Sequence, residues 1–124
     1  MIKITLLTGP FAGETREVPK NIDPLQLIMS FVYHEDEWEI DYSEATEEEI
    51  LEFMKADIAG RIIRALKDGR KVYFLDKVYE AETEEEIFEV AQEIEDDIVK
   101  SKKFITILKD DENGLIIGAA NFFH

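Results

Sequence analysis

The chain opens on a strict alternation, with Ile2, Ile4 and Leu6 apolar and Lys3 and Thr5 polar. A period of two puts every second side chain on one face, so this segment reads as a strand with one buried face. Gly9-Pro10-Phe11-Ala12-Gly13 follows, with turn residues at both ends. Residues 14–18 read as the return strand of an N-terminal hairpin, stopped by Pro19. Asp23-Pro24 is a helix start, because Asp accepts N–H bonds at the cap and Pro needs no donor at the first position. Leu25, Leu27, Ile28, Phe31 and Val32 then cover one helical face, and His34-Glu35-Asp36-Glu37 ends it. Trp38, Ile40 and Tyr42 alternate with acids, as in a short edge strand.

The period changes again at Thr46-Glu47-Glu48-Glu49, a capping box in which hydroxyl and carboxylate satisfy each other's orphan donors. Ile50, Phe53, Met54, Ile58, Ile62 and Leu66 hold a helical spacing up to Asp68-Gly69. Residues 72–75 are a dense β-type run. Val78 and Tyr79 either continue it or return from a tight turn at Asp76-Lys77. Thr83-Glu84-Glu85-Glu86 is a second capping box, followed by the stripe Ile87, Ala91, Ile94 and Ile98. Residues 104–108 are apolar on both faces, which predicts a central strand. Asn113-Gly114 is a strong hairpin signal, and residues 115–123 form the returning strand. The repeated Thr-Glu-Glu-Glu-Ile at 46–50 and 83–87 reads as convergent capping rather than duplication, since the match decays beyond five residues.

The predicted order is ββα(β)αβαββ: an α+β fold of three helices on a mixed sheet, with hairpins at both ends. Strand 72–75, helix 83–100 and strand 104–108 suit a βαβ crossover with parallel strands. At 124 residues, with no linker or low-complexity segment, residues 1–124 read as one domain. The chain has no cysteine, which excludes disulfides, thiolate metal sites and cysteine nucleophiles. The absence of cysteine, a short interrupted N-terminal apolar stretch and the lack of any run of about 20 apolar residues predict a cytoplasmic protein without a membrane span.

Charge adds the most. The net charge is −15, from 29 acidic and 14 basic side chains, which disfavours binding to bare nucleic acid or an anionic membrane. Residues 21–54 carry eleven acids and residues 78–99 carry ten, with no Lys or Arg in either stretch. Acids in the first helical turns, and Arg61, Arg64, Lys67, Lys100, Lys102 and Lys103 near helix ends, complement the helix dipole. That leaves Glu35, Asp36, Glu37, Glu39 and Asp41 outside any capped helix, and Glu89, Glu93, Asp96 and Asp97 beyond the first turn of theirs. Such runs usually form a solvated face. The functional alternative is an acidic docking surface for a basic protein, built from 35–49 and the exposed side of helix 83–100. A special case is mimicry of nucleic acid, with carboxylates in the place of phosphates.

Other constellations are weaker. Arg61, Arg64, Lys67, Arg70 and Lys71 lie within eleven residues and suggest an anion site, against the simpler role of helix-end cations paired with acids. His34 is followed by three acids, but adjacent residues rarely converge on one ion and the other histidine is His124. No specific metal or cofactor is expected, only unspecific attraction of Ca²⁺ or Mg²⁺ to acidic clusters. Residues 110–114 fail as a calcium loop, with Lys109 at the first ligand position and Ala120 where a bidentate Glu belongs. Residues 8–13 lack the Gly-Lys-Ser/Thr end of a phosphate loop, and Pro10 removes a donor. This Gly-Pro-x-x-Gly hairpin resembles those that open various small bacterial and phage proteins, a likeness too short to imply a function.

Ser30, Ser43 and Ser101 lie in no nucleophile elbow, so nucleophilic catalysis is poorly supplied. Trp38, Tyr42, Tyr73 and Tyr79 are suited to line a groove, though strand aromatics are more often core. The sequence therefore points to a non-catalytic acidic binding or adaptor module, of bacterial or phage type. The alternative class is a ligand-binding protein or enzyme using the 61–71 bases and His34.

Overall fold

A computed structural model describes residues 1–100 and 104–120 of the chain. The elements are β1 (Lys3–Leu6), β2 (Thr15–Glu17), α1 (Pro24–Tyr33), β3 (Trp38–Asp41), α2 (Glu47–Lys67), β4 (Val72–Phe74), β5 (Lys77–Tyr79), α3 (Glu84–Lys100), β6 (Phe104–Asp111) and β7 (Gly114–Ala120). The fold is α+β in the predicted order. Its strands are shared between two sheets, β2-β1-β3 and β5-β4-β7-β6. The chain divides into two compact units, Met1–Gly60 and Arg61–His124, with the division inside α2.

In the first unit, β1 is paired antiparallel to β2 and to β3, with Ile4 opposite both Arg16 and Ile40, and Leu6 opposite Trp38. Alternation turns Trp38 and Ile40 inward and Glu39 and Asp41 outward. The Asp23 carboxylate caps α1 by accepting from Leu25 N at 3.0 Å, and Pro24 occupies its first position. The capping box of α2 is formed: Thr46 Oγ1 accepts from Glu49 N, and Glu49 Oε1 accepts from Thr46 N, both at 3.3 Å.

Trp38 is 2% exposed. Burying an indole of ~200 Å² contributes on the order of 5 kcal/mol of transfer free energy. Its polar end is satisfied, because Nε1 donates to Asp57 Oδ1 of α2 at 2.6 Å, and the Phe31 ring of α1 lies 5.8 Å away centroid to centroid. Gly60 of α2 faces the same group. A Cβ there would overlap the Ile28 side chain and stand 3.7 Å from the Trp38 ring.

In the second unit, β4 is paired antiparallel to β5 and parallel to β7, and β7 antiparallel to β6. Residues 72–79 are thus a hairpin. Its turn is Leu75-Asp76, one residue earlier than Asp76-Lys77, with Leu75 at φ +54. This hairpin corrects the expected crossover. The chain reverses before entering α3, so the helix leads from β5 to β6, the two edge strands, and the parallel neighbour of β4 is β7. It also corrects the placing of residues 104–108: β6 is an edge strand, and β7 takes a central position.

Val72, Phe74, Ile105, Leu115 and Ile117 are buried on one side of this sheet, and Ile87, Ala91 and Ile94 on α3. At the start of α3, Glu86 N donates to Thr83 Oγ1 at 3.2 Å and the Thr83 hydroxyl donates to Glu86 Oε1 at 3.2 Å. At the C-terminal hairpin the turn is Glu112-Asn113, held by Asn113 N donating to Asp111 Oδ1 at 2.9 Å, and Gly114 is the first residue of β7 at φ +143. The predicted strand end at 121–123, Ser101, Lys102, Lys103 and His124 lie outside the described residues.

The Gly60 contact sets a test. Alanine is the better helix former by about 1 kcal/mol, yet Gly60→Ala should lower the urea-unfolding stability by about 1–3 kcal/mol through overpacking against Ile28. A variant as stable as the parent would contradict this packing.

Candidate interaction surface

The acidic segment that follows α1 is shaped by how that helix ends. Glu35 N donates to Val32 O at 3.1 Å and Asp36 N to Phe31 O at 2.9 Å, the pair of bonds of a Schellman stop. The residue after the cap must then be left-handed, and Glu35 sits there at φ +59. Glycine takes that conformation without a Cβ penalty, as Gly69 does at the matching end of α2, where φ is +74.

The turn is then fixed to the β1–β2 loop. Leu7 N donates to Glu37 O at 2.8 Å, and Glu37 N donates to Thr8 Oγ1 at 2.9 Å. Gly9, at φ +83, lies against the Asp36 carboxylate so closely that a Cβ would overlap it. Residues 8–13 form the expected hairpin turn, with Ala12 N donating to Gly9 O at 3.2 Å and Gly13 N to Leu6 O at 2.7 Å. Leu7 and Phe11, both 49% exposed, stand on this loop. The Arg16 guanidinium lies 5.0 Å from the Phe11 ring centroid and is paired with Glu14. Tyr33, 78% exposed, meets His34 edge to face at 5.2 Å between ring centroids. Three large apolar side chains therefore accompany Glu35, Asp36 and Glu37 on the surface of the first unit.

Glu39 and Asp41 lie on the outer face of the three-stranded sheet, opposite Thr5 and Lys3. Lys3 is also 3.3 Å from Glu44. The side-chain and backbone bonds from Ser43, foremost, hold the Asp41 carboxyl below its ordinary pKa. No ion pair reaches Glu35 or Glu39 among the described residues.

The second acidic set is on α3. Glu89, Glu93, Asp96 and Asp97 recur at helical spacing on one side of it. Two of them are engaged locally: Asp97 is 3.7 Å from Lys77, and Asp96 accepts from Gln92 Nε2 at 3.0 Å. Burial, then the Glu93 carboxylate, push the Tyr79 hydroxyl above its ordinary pKa.

The basic cluster is largely turned inward. Arg61 Nη1 donates to Asp110 Oδ2 at 3.2 Å, and Arg70 Nη1 donates to Asp110 Oδ1 at 2.6 Å and to Asp111 O at 2.9 Å. Lys71 is 3.5 Å from Glu80. Arg64 is half-buried near the end of α2. An internal carboxylate thus occupies the position between Arg61 and Arg70 that an anionic ligand would take. Sequence spacing grouped these arginines but gave no sign of Asp110, which β6 brings from 40 residues away.

His34 belongs to the first unit and the basic cluster to the second. In the first unit an apolar cleft of about 180 Å³ is lined by Ile4, Leu6, Ile22, Leu27 and Phe31, and a second of about 280 Å³ by Ile2, Pro19, Glu52 and Phe53. Neither cleft includes His34, Arg61 or Arg64. Among the described residues no group of three His, Asp or Glu is placed to hold a metal ion, and no helix is long and apolar enough to cross a membrane. Comparison with protein-family models, curated proteins and solved structures returns no match to this chain.

Two stability measurements check this geometry. Glu35→Gly should raise unfolding free energy by about 0.5–1 kcal/mol, since it relieves a left-handed residue; a loss would contradict the helix stop described. Asp110→Ala should cost about 1–3 kcal/mol by removing the carboxylate that two part-buried guanidinium groups share; an unchanged denaturation midpoint would refute that clamp.

Proposed function

We propose that the chain is a non-catalytic binding module that recognises a basic protein segment. The recognition surface is the carboxylate-bearing turn 35–37 with the exposed side chains of Leu7, Phe11 and Tyr33 beside it. The observation that carries this reading is the docking of Glu37 onto Leu7 and Thr8 by backbone and hydroxyl hydrogen bonds, with Gly9 packed against the Asp36 carboxylate. It holds anionic groups and large apolar side chains in one fixed arrangement. Exposed apolar anchors supply affinity, and surrounding charges of one sign steer and select the partner. A second observation supports the same surface: a carboxylate is kept at position 35, where the backbone favours glycine.

The partner chemistry follows from the charges. Residues 21–54 carry no Lys or Arg, and the Arg16 guanidinium that lies over Phe11 is paired with Glu14, so the charge left to meet a lysine- or arginine-rich segment is acidic. An apolar or aromatic residue within the segment would contact Phe11 or Tyr33. The acidic side of α3 gives a further anionic surface on the second unit. A cysteine-free composition supports a cytoplasmic setting for this role.

A defined probe tests it. An arginine-rich peptide with one central leucine, titrated into the labelled protein, should shift the amide signals of residues 7–11 and 33–37 first. Its affinity should fall by about tenfold with Phe11→Ser and by about fivefold with Glu37→Lys, and weaken further as NaCl is raised. Shifts confined to α3, or equal affinities for parent and both variants, would overturn the assignment.

A further inference from the structure

The four-stranded sheet has two faces, and only one is accounted for by the buried residues of the second unit. On the other, Val78, Tyr73 and Ile116 stand in one row across β5, β4 and β7, set by the registers Val78↔Tyr73 and Tyr73↔Ile116. Val78 is 57% exposed, Ile116 37% and Leu108 59%. Leu108 falls at an irregularity in the β6–β7 ladder, between Ile107 and Lys109. That bulge turns its side chain onto this face, over Gly118, where a Cβ would stand 2.7 Å from Leu108 Cδ1.

The two glycines of β7 leave room on this face for side chains of the neighbouring strands. Gly114 and Gly118 flank Ile116 at a spacing of two, so any side chains there would share its face. The Tyr73 ring lies over Gly114, where a Cβ would stand 3.1 Å from Cε2, and Leu108 lies over Gly118. Neighbouring strands thus fill both gaps with apolar groups. The result is an apolar row of Val78, Tyr73 and Ile116 across β5, β4 and β7, with Leu108 over Gly118 beside it and Lys109 as the β6 register partner of Ile116. Solvated faces of such sheets ordinarily carry polar side chains, and extended apolar patches of this kind mark interfaces.

Two ion pairs on this face bear on what can cover it. Lys71 is paired with Glu80 at 3.5 Å, and Lys109 with Asp111 at 3.2 Å. Each pair is neutral and shares the outer face of its strands. On a chain of net charge −15, this face can approach another equally acidic molecule without placing unpaired carboxylates against each other. A two-fold contact needs a self-complementary patch, and an apolar row bordered by both signs of charge meets that requirement. We infer that this face, built from Tyr73, Val78, Leu108 and Ile116, is the contact surface for a second copy of the chain. The copies would pack sheet against sheet, distinct from the acidic surface of the first unit.

Sedimentation velocity over a concentration series up to about 100 μM tests this directly. The parent should shift from monomer to dimer. Leu108→Lys and Val78→Lys should each weaken the dimer by about tenfold or more, whereas Leu51→Lys, at an exposed apolar residue of α2, should not. Circular dichroism shows that each variant is folded, and either of the two face variants suffices if the other is not. Added NaCl should leave the dimer unchanged or tighter, the opposite of its effect on binding of a basic peptide, so the two proposals fail separately. A parent that remains monomeric at every concentration overturns the inference, and the face then awaits a different protein. So does a dimer that survives both face substitutions, or one that Leu51→Lys weakens equally.

Discussion

The first unit depends on one constraint: the buried indole of Trp38 must find a hydrogen-bond acceptor while two helices close over it. Asp57 supplies the acceptor from α2, and Gly60, one turn further along, leaves room for Ile28 of α1. Both requirements fall on the same face of α2. An indole left without its acceptor would carry a desolvation cost of about 1–3 kcal/mol, and a side chain at position 60 would hold α1 away. Trp38 is also the first residue of β3, so fixing it fixes where the acidic turn before it must run.

That link ties packing to surface chemistry. The inward side chains of β3 are apolar and the outward ones acidic, so burying Trp38 and Ile40 displays Glu39 and Asp41. One residue earlier, Glu37 is pinned to the β1–β2 loop by its N–H and C=O, and its carboxylate is left on the surface. The acidity of the chain is therefore not uniform in its causes. Glu49 and Glu86 serve capping boxes, Asp110 bridges two arginines, and Asp97 meets Lys77. Glu35 and Glu39 serve none of these roles, and the proposed recognition surface would give one to Glu35.

Local signals were legible wherever they acted over a few residues. Asp23-Pro24, Thr46-Glu49 and Thr83-Glu86 mark helix starts because their hydrogen bonds close within three residues. The strand alternation of residues 2–6 and 38–42 likewise gave the faces of β1 and β3. Strand order was not legible, because it depends on where a chain reverses. A turn at Leu75 lacks glycine, and its positive φ is tolerated rather than announced. Once that hairpin forms, β7 takes the place beside β4, and the doubly apolar β6 is left at an edge with Leu108 facing solvent. Of the candidate surface, the acids of 35–41 were visible as a run. Leu7 was not, since its proximity to Glu37 rests on a backbone bond across 30 residues. The arginine cluster showed the reverse: its spacing was visible and its partner Asp110 was not.

The acidic turn is thus held in place through the buried Trp38–Asp57 contact. Hydrogen exchange under native conditions, comparing the parent with Asp57→Ala, tests it most directly. The account predicts that the amides of Leu7, Asp36 and Glu37 lose protection together with the Trp38 indole N–H, while those of β4 and β7 retain theirs. Protection at Leu7, Asp36 and Glu37 that stays unchanged when the indole exchanges freely would contradict it.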